Sequence, residues 1–146
     1  MDYVLQEGSL SLPDGYIDRS VNMFTFGASV PAPLSITIAR DSLGQGEPLS
    51  DYVERQLRIL ASKLPGYTHL GSHAVSLSID KPIPGIQVDG WYMSQGRPLY
   101  QRQAVFLLNA ERALIFSASA QDEFSATQNQ DWANLLAGFT PAAEQE

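Results

Sequence analysis

Apolar and polar residues alternate along most of the chain, and this period of two is typical of β-strands with one buried face. The alternating segments are YVLQ, SLSLP, VNMFTF, LSITIARD, YTHLGSHAVSLSID, IQVDGWYM, LYQRQAVFLL and ALIFSASA. Turn-forming residues separate these segments at Glu7-Gly8, PDG, SLGQGEP, KPIPG and SQGRP. The pattern therefore predicts a series of strands joined mostly by short turns.

Two segments follow the helical period instead. SDYVERQLRIL opens an amphipathic helix, for which Ser50 or Asp51 is the expected N-cap and LPG, from Leu64 to Gly66, the stop. TQNQDWANLLAGF forms a second helix near the end of the chain. The apolar residues on one face of this second helix are Trp132, Leu135, Leu136 and Phe139.

Many strands and only two helices favour an α+β fold over a doubly wound parallel sheet, which needs a helix for each crossover. The expected architecture is an antiparallel β-sheet with two main helices packed on it. The length of 146 residues fits a single domain. We place this domain at residues 1–140, and we expect PAAEQE at residues 141–146 to be a frayed tail.

Composition and charge exclude several classes of function. Nine basic and 16 acidic residues give a net charge of −7, which disfavours nucleic acid and anionic lipid as partners. With no cysteine, the chain has no disulfide, no thiolate zinc site and no cysteine nucleophile. The N-terminus lacks the basic flank and long apolar run of a signal peptide, so we expect a protein of the bacterial cytoplasm.

The sequence gives no support for catalysis, a cofactor or a metal. His69 and His73 lie four residues apart on a predicted strand, a separation of about 13 Å that is too long for one zinc ion. Neither the Gly-x-Ser-x-Gly motif of serine hydrolases nor a glycine-rich phosphate-binding motif is present. We therefore expect a protein that is not an enzyme.

Neutral amides interrupt several apolar faces. On the first helix, Gln56 falls inside an apolar arc of roughly 200° that also contains Leu60, whereas a helix on a sheet needs a stripe of only about 100°. On LYQRQAVFLL, Gln103 shares a face with apolar residues. A buried amide without a partner costs about 1–3 kcal/mol. Its partner is either a backbone group of the protein itself or an incoming chain. The wide arc fits either a helix buried on two sides by its own domain or a dimer mate, or a second apolar contact with a ligand.

Several short motifs, in order and spacing, resemble the Eag-type chaperones of bacterial type VI secretion, which are part of the DcrB-like family. The motifs are LPD at 12–14, SVNMF at 20–24, IARD at 38–41, DYVERQL at 51–57, LPGY at 64–67 and RQ at 102–103. The similarity runs nearly from end to end, and the part after Asp80 matches less closely.

The resemblance implies the antiparallel fold of the PsbP and Mog1 proteins and a homodimer. It also implies a function: binding the N-terminal transmembrane helices of a secreted effector in the cytoplasm. Such effectors usually carry a PAAR domain and load on the VgrG spike. Carried over residue by residue, the client-binding positions are Val21, Met23, Gln56, Leu64 and Gln103, to which we add Leu60 from the same helical arc.

A second interpretation stays open at this point. The same fold also occurs in general protein-interaction modules, as in Mog1-like domains, which bind a folded partner and have no transmembrane client. An N-terminal hydrophobic segment in a partner encoded by an adjacent gene would favour the chaperone interpretation.

Overall fold

A computed structural model describes residues 1–27, 33–109 and 111–142 of the chain. Eight strands and two helices lie within these ranges. In chain order they are β1 (Asp2–Val4), β2 (Ser9–Ser11), β3 (Asn22–Thr25), β4 (Leu34–Ser42), α1 (Leu49–Lys63), β5 (Thr68–Leu77), β6 (Ile83–Ser94), β7 (Arg97–Leu107), β8 (Arg112–Ala120) and α2 (Ala126–Ala137). Residues 143–146, most of the predicted tail, fall outside the described ranges.

Six of the strands form one antiparallel sheet in the order β3-β4-β8-β7-β6-β5. The β1 and β2 strands pair only with each other as a small hairpin. A hydrogen bond between the Tyr3 hydroxyl and Ser20 Oγ, 2.6 Å long, connects this hairpin to the segment that leads into β3. The strands β8 and β7 occupy the middle of the sheet, while β3 and β5 are its edges.

The two helices lie on opposite faces of the sheet, which we call the α1 face and the α2 face. Tyr52 and Val53 of α1 pack with Val88, Val105 and Ala113 in one apolar cluster. The larger cluster lies on the other face, under α2. It contains Leu34, Leu77, Ala104, Phe106, Leu114, Phe116, Ala118, Ala120, Trp132 and Leu136. The predicted α+β fold with two helices packed on an antiparallel sheet is confirmed.

The prediction for the start of α1 was wrong. The N-cap is Pro48 rather than Ser50 or Asp51, and no side chain caps the helix. Proline fixes φ near −65°, and the extended conformation of Pro48 suits an N-cap because its carbonyl accepts the Tyr52 N–H. Asp51 consequently lies in the first turn, where its negative charge interacts favourably with the positive end of the helix dipole.

The β6-β7 region is more regular than the pattern predicted. KPIPG does not interrupt the strands completely, since β6 begins at Ile83 and Pro84 pairs with Ser76. The hairpin loop has two residues rather than the five of SQGRP. Gln95 and Gly96 both adopt positive φ, at 51° and 79°, as a two-residue turn between right-handedly twisted strands requires.

Glycine is needed at Gly85, where β6 comes close to a core aromatic ring. A Cβ atom at this position would lie 2.4 Å from Phe106 Cδ1 and 2.5 Å from the Val105 carbonyl oxygen. The Phe106 ring fills that space and meets Phe116 edge-to-face, with 5.8 Å between the ring centroids. Gly85 thus allows the largest core cluster to close against the sheet.

Candidate functional site

Helix α1 covers only part of its face of the sheet. It contacts β6 and β7, and its buried residues, Tyr52 and Val53, belong to its first half. Beyond the helix, the Pro65 carbonyl accepts the Met93 N–H, and Tyr67 packs over Gly90. The second half of α1 therefore runs toward the end of β6 that carries Gly90. The strands β8, β4 and β3 extend beyond the helix on the same face.

Uncharged polar side chains line the part of the α1 face that the helix leaves uncovered. Strand register places Met23, Thr37, Ser117 and Gln103 in one row across β3, β4, β8 and β7. A second row runs parallel to the first through Thr25, Ser35, Ser119 and Gln101. We call the six residues of the three inner strands the polar floor: Ser35, Thr37, Gln101, Gln103, Ser117 and Ser119. Each of the six is partly exposed.

The amides of this region lack hydrogen-bond partners among the residues that the structure describes. The Oε1 atom of Gln101 is inaccessible to solvent and accepts no hydrogen bond from any described residue. Across the described ranges, the side chains of Gln56 and Gln103 likewise form no hydrogen bond within the chain, although Gln87 on the α2 face does so. No backbone group within residues 1–27, 33–109 and 111–142 therefore pairs with these amides. The amides of Gln56 and Gln103 remain available to a ligand, whereas Gln101 Oε1 is covered by the protein.

Apolar side chains border the polar floor on the β3 side. Val21 is 57% exposed and Met23 is 66% exposed, and in the described part of the chain neither belongs to an apolar cluster. Alternation along β3 puts Met23 on the α1 face and Phe24 on the opposite face, and the same alternation continued one residue before the strand puts Val21 beside Met23. A methionine exposed to this extent beside uncharged groups forms an adaptable apolar wall.

Helix α1 provides the opposite border. Gln56, Leu60 and Leu64 follow Tyr52 at intervals of four residues, so they lie along one side of the helix. All three are half-buried, and Leu60 and Leu64 lie outside the core clusters of the described residues. The packing of α1 thus loosens toward its C-terminal half, next to the polar floor.

The width of this surface matches one helix. Met23 and Gln103 are separated by three strand spacings, which correspond to about 14 Å. An α-helix with its side chains is about 10–12 Å across. Short Ser and Thr side chains on the floor would let such a helix approach the sheet closely, as small residues do between membrane helices.

Charged groups lie away from the centre of this surface. Between Leu99 and Leu107, β7 places only uncharged residues on the α1 face, and β4 adds a single acid at its end, Asp41. The Tyr52 hydroxyl donates to Asp41 Oδ2 at 2.6 Å. Burial, followed by this hydrogen bond, raises the pKa of Tyr52 well above its usual range. The phenol consequently stays neutral, and the surface offers dipoles rather than net charge.

The structure brings the sequence-predicted positions to one face: Met23 and Gln103 lie on the sheet, Val21 directly precedes β3, Gln56 and Leu60 lie on α1, and Leu64 is the C-cap of α1. The other residues of the polar floor were not predicted as site residues from the sequence. The sequence pattern that indicates these residues is the alternation of hydroxyl residues with apolar ones in LSITI and FSASA. Because serine and threonine also suit solvent-facing positions, that pattern became informative only when the strand order put β4 and β8 side by side.

The two histidines lie on a strand, as predicted, but on opposite faces of the sheet. His69 pairs with Gly90 and His73 with Gln87, because a bulge between His69 and Gly71 shifts the register. Among residues 1–27, 33–109 and 111–142, no three His, Asp or Glu side chains cluster in a way that suits a metal ion. Within the same ranges, none of the helices has the length and apolar character needed to cross a bilayer.

Comparison with known proteins assigns the chain to a family. The sequence model of the DcrB family matches residues 7–138. The chain belongs to the DcrB family. A relative from Pseudomonas aeruginosa strain PAO1, Effector EagT6, is 34% identical over 147 aligned residues, which cover 95% of this chain and 94% of the relative. The resemblance to Eag-type, DcrB-like proteins is therefore confirmed.

Two solved structures share the fold. The protein of unknown function PA94 from Pseudomonas aeruginosa superposes with a TM-score of 0.78 at 26% identity, covering 99% of this chain and 98% of PA94. LpqN, a Mycobacterium tuberculosis protein involved in cell envelope biogenesis, gives a TM-score of 0.58 at 21% identity, with 78% of this chain and 65% of LpqN covered. The second similarity supports the fold alone.

Proposed function

We propose that this protein is a chaperone of type VI secretion that binds and shields N-terminal transmembrane helices of an effector before export. The observation that carries the proposal is the uncharged polar floor, one helix wide, between the apolar wall at Met23 and the loosely packed half of α1. The relation to EagT6 and membership of the DcrB family support the same role.

The chemistry of the surface suits such a client. A transmembrane helix packs on its neighbours through small residues and interhelical hydrogen bonds. Each Å² of its hydrocarbon surface that is removed from water stabilises the complex by about 25 cal/mol. Val21, Met23, Leu60 and Leu64 provide the apolar surface that covers it. Gln56 and Gln103 offer unpaired amides to its polar groups. Such hydrogen bonds are worth about 0.6–2 kcal/mol each in membrane proteins, so the amides select helices with matching polar residues over any oily segment.

The partners follow from the same proposal. The client is the N-terminal hydrophobic segment of a PAAR-containing effector, and the chaperone reaches the VgrG spike only indirectly, through that effector. Binding takes place in the cytoplasm, without insertion of the chaperone into the membrane. Two copies form a homodimer, because one surface covers only one side of a helix. Phe24 and Phe26, 59% and 70% exposed on the face of β3 away from Met23, are suited to contact the second copy.

Co-expression tests the function directly. The protein is produced with the N-terminal fragment of the effector encoded by the adjacent gene, once intact and once without its apolar segments. We expect the intact fragment to stay soluble and co-purify, and the shortened fragment to be lost. Equal recovery of both fragments would instead favour an interaction module that binds a folded partner.

The amides can be tested one at a time. We expect Gln56→Ala and Gln103→Ala each to weaken client retention by about three- to thirtyfold, the equivalent of one lost hydrogen bond. Neither amide is paired within the described protein, so thermal unfolding should change little. Retention is measured by titrating the labelled client fragment, and the melting temperature is recorded for each variant. A variant that unfolds identifies its glutamine as structural.

A further inference from the structure

The α2 face carries a groove that the proposed function does not use. Two adjoining cavities, of about 330 and 480 Å³, share His73, Asp89, Arg102 and Asn129 in their walls. Together they follow β5 from Leu70 to Ser76 on one side and α2 from Asn129 to Ala137 on the other. Their volumes lie in the range of ligand-binding clefts.

One wall of the groove is a free sheet edge. In the described part of the chain, the backbone of Thr68–Leu77 is bonded to β6 alone. The outward N–H and C=O groups of β5 are thus unpaired, and only an extended chain can match such a row. The ten residues of β5 include no proline and no Lys, Arg, Asp or Glu, the usual residues that block strand addition.

The floor of the groove is a preorganised polar network. Arg102 donates from Nε to Asp89 at 2.9 Å and from Nη1 to Asn129 at 2.8 Å, and its guanidinium stacks 4.2 Å from the Phe124 ring centroid. The Trp132 indole N–H donates to Gln87 Oε1 at 2.9 Å. These contacts hold Arg102 in place, while its Nη2 atom has no partner among the described residues.

We propose that an extended segment of a partner protein binds here, adding a strand to β5 and directing alternate side chains into the groove. The segment carries Asn or Gln opposite Arg102, because Nη2 supplies free donors while Asp89 and Glu123 in the same walls repel an acidic side chain. Small apolar residues fit beside the exposed Ala133 and the half-buried Ala137. A second copy of β5 fits less well, since its sequence, THLGSHAVSL, contains neither Asn nor Gln.

A random peptide library tests the proposal without a known partner. Displayed peptides of about ten residues, the length of β5, are selected on the purified full chain, and synthetic copies are titrated by fluorescence anisotropy. We expect Ala133→Trp, which fills the groove from an exposed position, to weaken peptide binding by about tenfold or more. The control Thr127→Trp, exposed on the other side of α2, should leave binding unchanged. Bound peptide should also slow amide hydrogen exchange in β5.

Three outcomes would overturn this inference: no enriched peptide, equal binding to the Ala133→Trp variant, or β5 amides that exchange as fast with peptide as without. Loss of self-association in the Ala133→Trp variant would identify the occupant as a second copy instead. The client helix is proposed to bind the opposite face, so Ala133→Trp should retain the effector fragment. The failure of one proposal is therefore distinguishable from failure of the other.

Discussion

A Met23→Asp variant should lose its client. Met23 is 66% exposed and stands at the wall of the polar floor, where the hydrocarbon side of a bound helix is expected to lie. An unpaired carboxylate pressed against hydrocarbon costs several kcal/mol. Since 1.4 kcal/mol corresponds to a tenfold change in affinity, retention should fall by at least about a hundredfold. The measurement is co-purification, followed by titration of the labelled client fragment.

A matched variant separates this effect from a general loss of surface hydrophobicity. Ile79→Asp introduces the same charge at an apolar residue that is 74% exposed and lies beyond the end of β5. We expect both variants to unfold within about 0.5 kcal/mol of the unchanged protein, as exposed substitutions usually do. The proposal for the α1 face is contradicted if the Met23→Asp variant retains the client as well as the Ile79→Asp variant does.

Phe106→Ala should cause the largest loss of stability. The ring is fully buried, packs edge-to-face on Phe116 and fills the space beside Gly85. Removal of a phenylalanine from such a site costs about 3–5 kcal/mol in free energy of unfolding, because the space left behind collapses only partly. The melting temperature should fall by roughly 10 °C or more. Urea unfolding followed by circular dichroism gives the free energy directly.

The neighbouring Leu108→Ala serves as the control for Phe106→Ala. Leu108 lies just past the end of β7 and is 42% exposed, so its truncation should cost less than about 1 kcal/mol. Similar losses in the two variants would show that the core under α2 does not depend on Phe106. Client binding per folded molecule should be unchanged in the Phe106→Ala variant at low temperature, because Phe106 faces away from the polar floor.

Local pattern predicted the elements well, since period-two and helical repeats report which side of a segment is buried. The order of the strands could not be read in this way. Strand β3 pairs with β4, whereas β4 pairs next with β8, which lies far along the chain. That pairing brings Thr37 beside Ser117 and so creates the polar floor, a property of tertiary contacts that neither segment expresses alone.

Gln56 and Gln103 were predictable in part because an amide within an apolar face is unusual. Their lack of a hydrogen-bond partner could not be predicted, because backbone carbonyls and N–H groups satisfy most buried amides. The bulge between His69 and Gly71 could not be predicted from the sequence either. One inserted residue moves the following side chains to the other face of the sheet without changing the composition of the strand. The start of α1 at Pro48 was missed because a serine and an acid follow immediately and resemble caps.

Site-specific photo-crosslinking tests the central claim most directly. A photoreactive phenylalanine analogue is placed at Ser117 on the polar floor and, as a control, at Thr127 on the outer side of α2. Each protein is irradiated in complex with the co-expressed N-terminal effector fragment, and the products are mapped by mass spectrometry. We predict crosslinks from position 117 to the apolar segment of the client and none from position 127. A stable complex that crosslinks to that segment only from position 127 would contradict a client site on the α1 face.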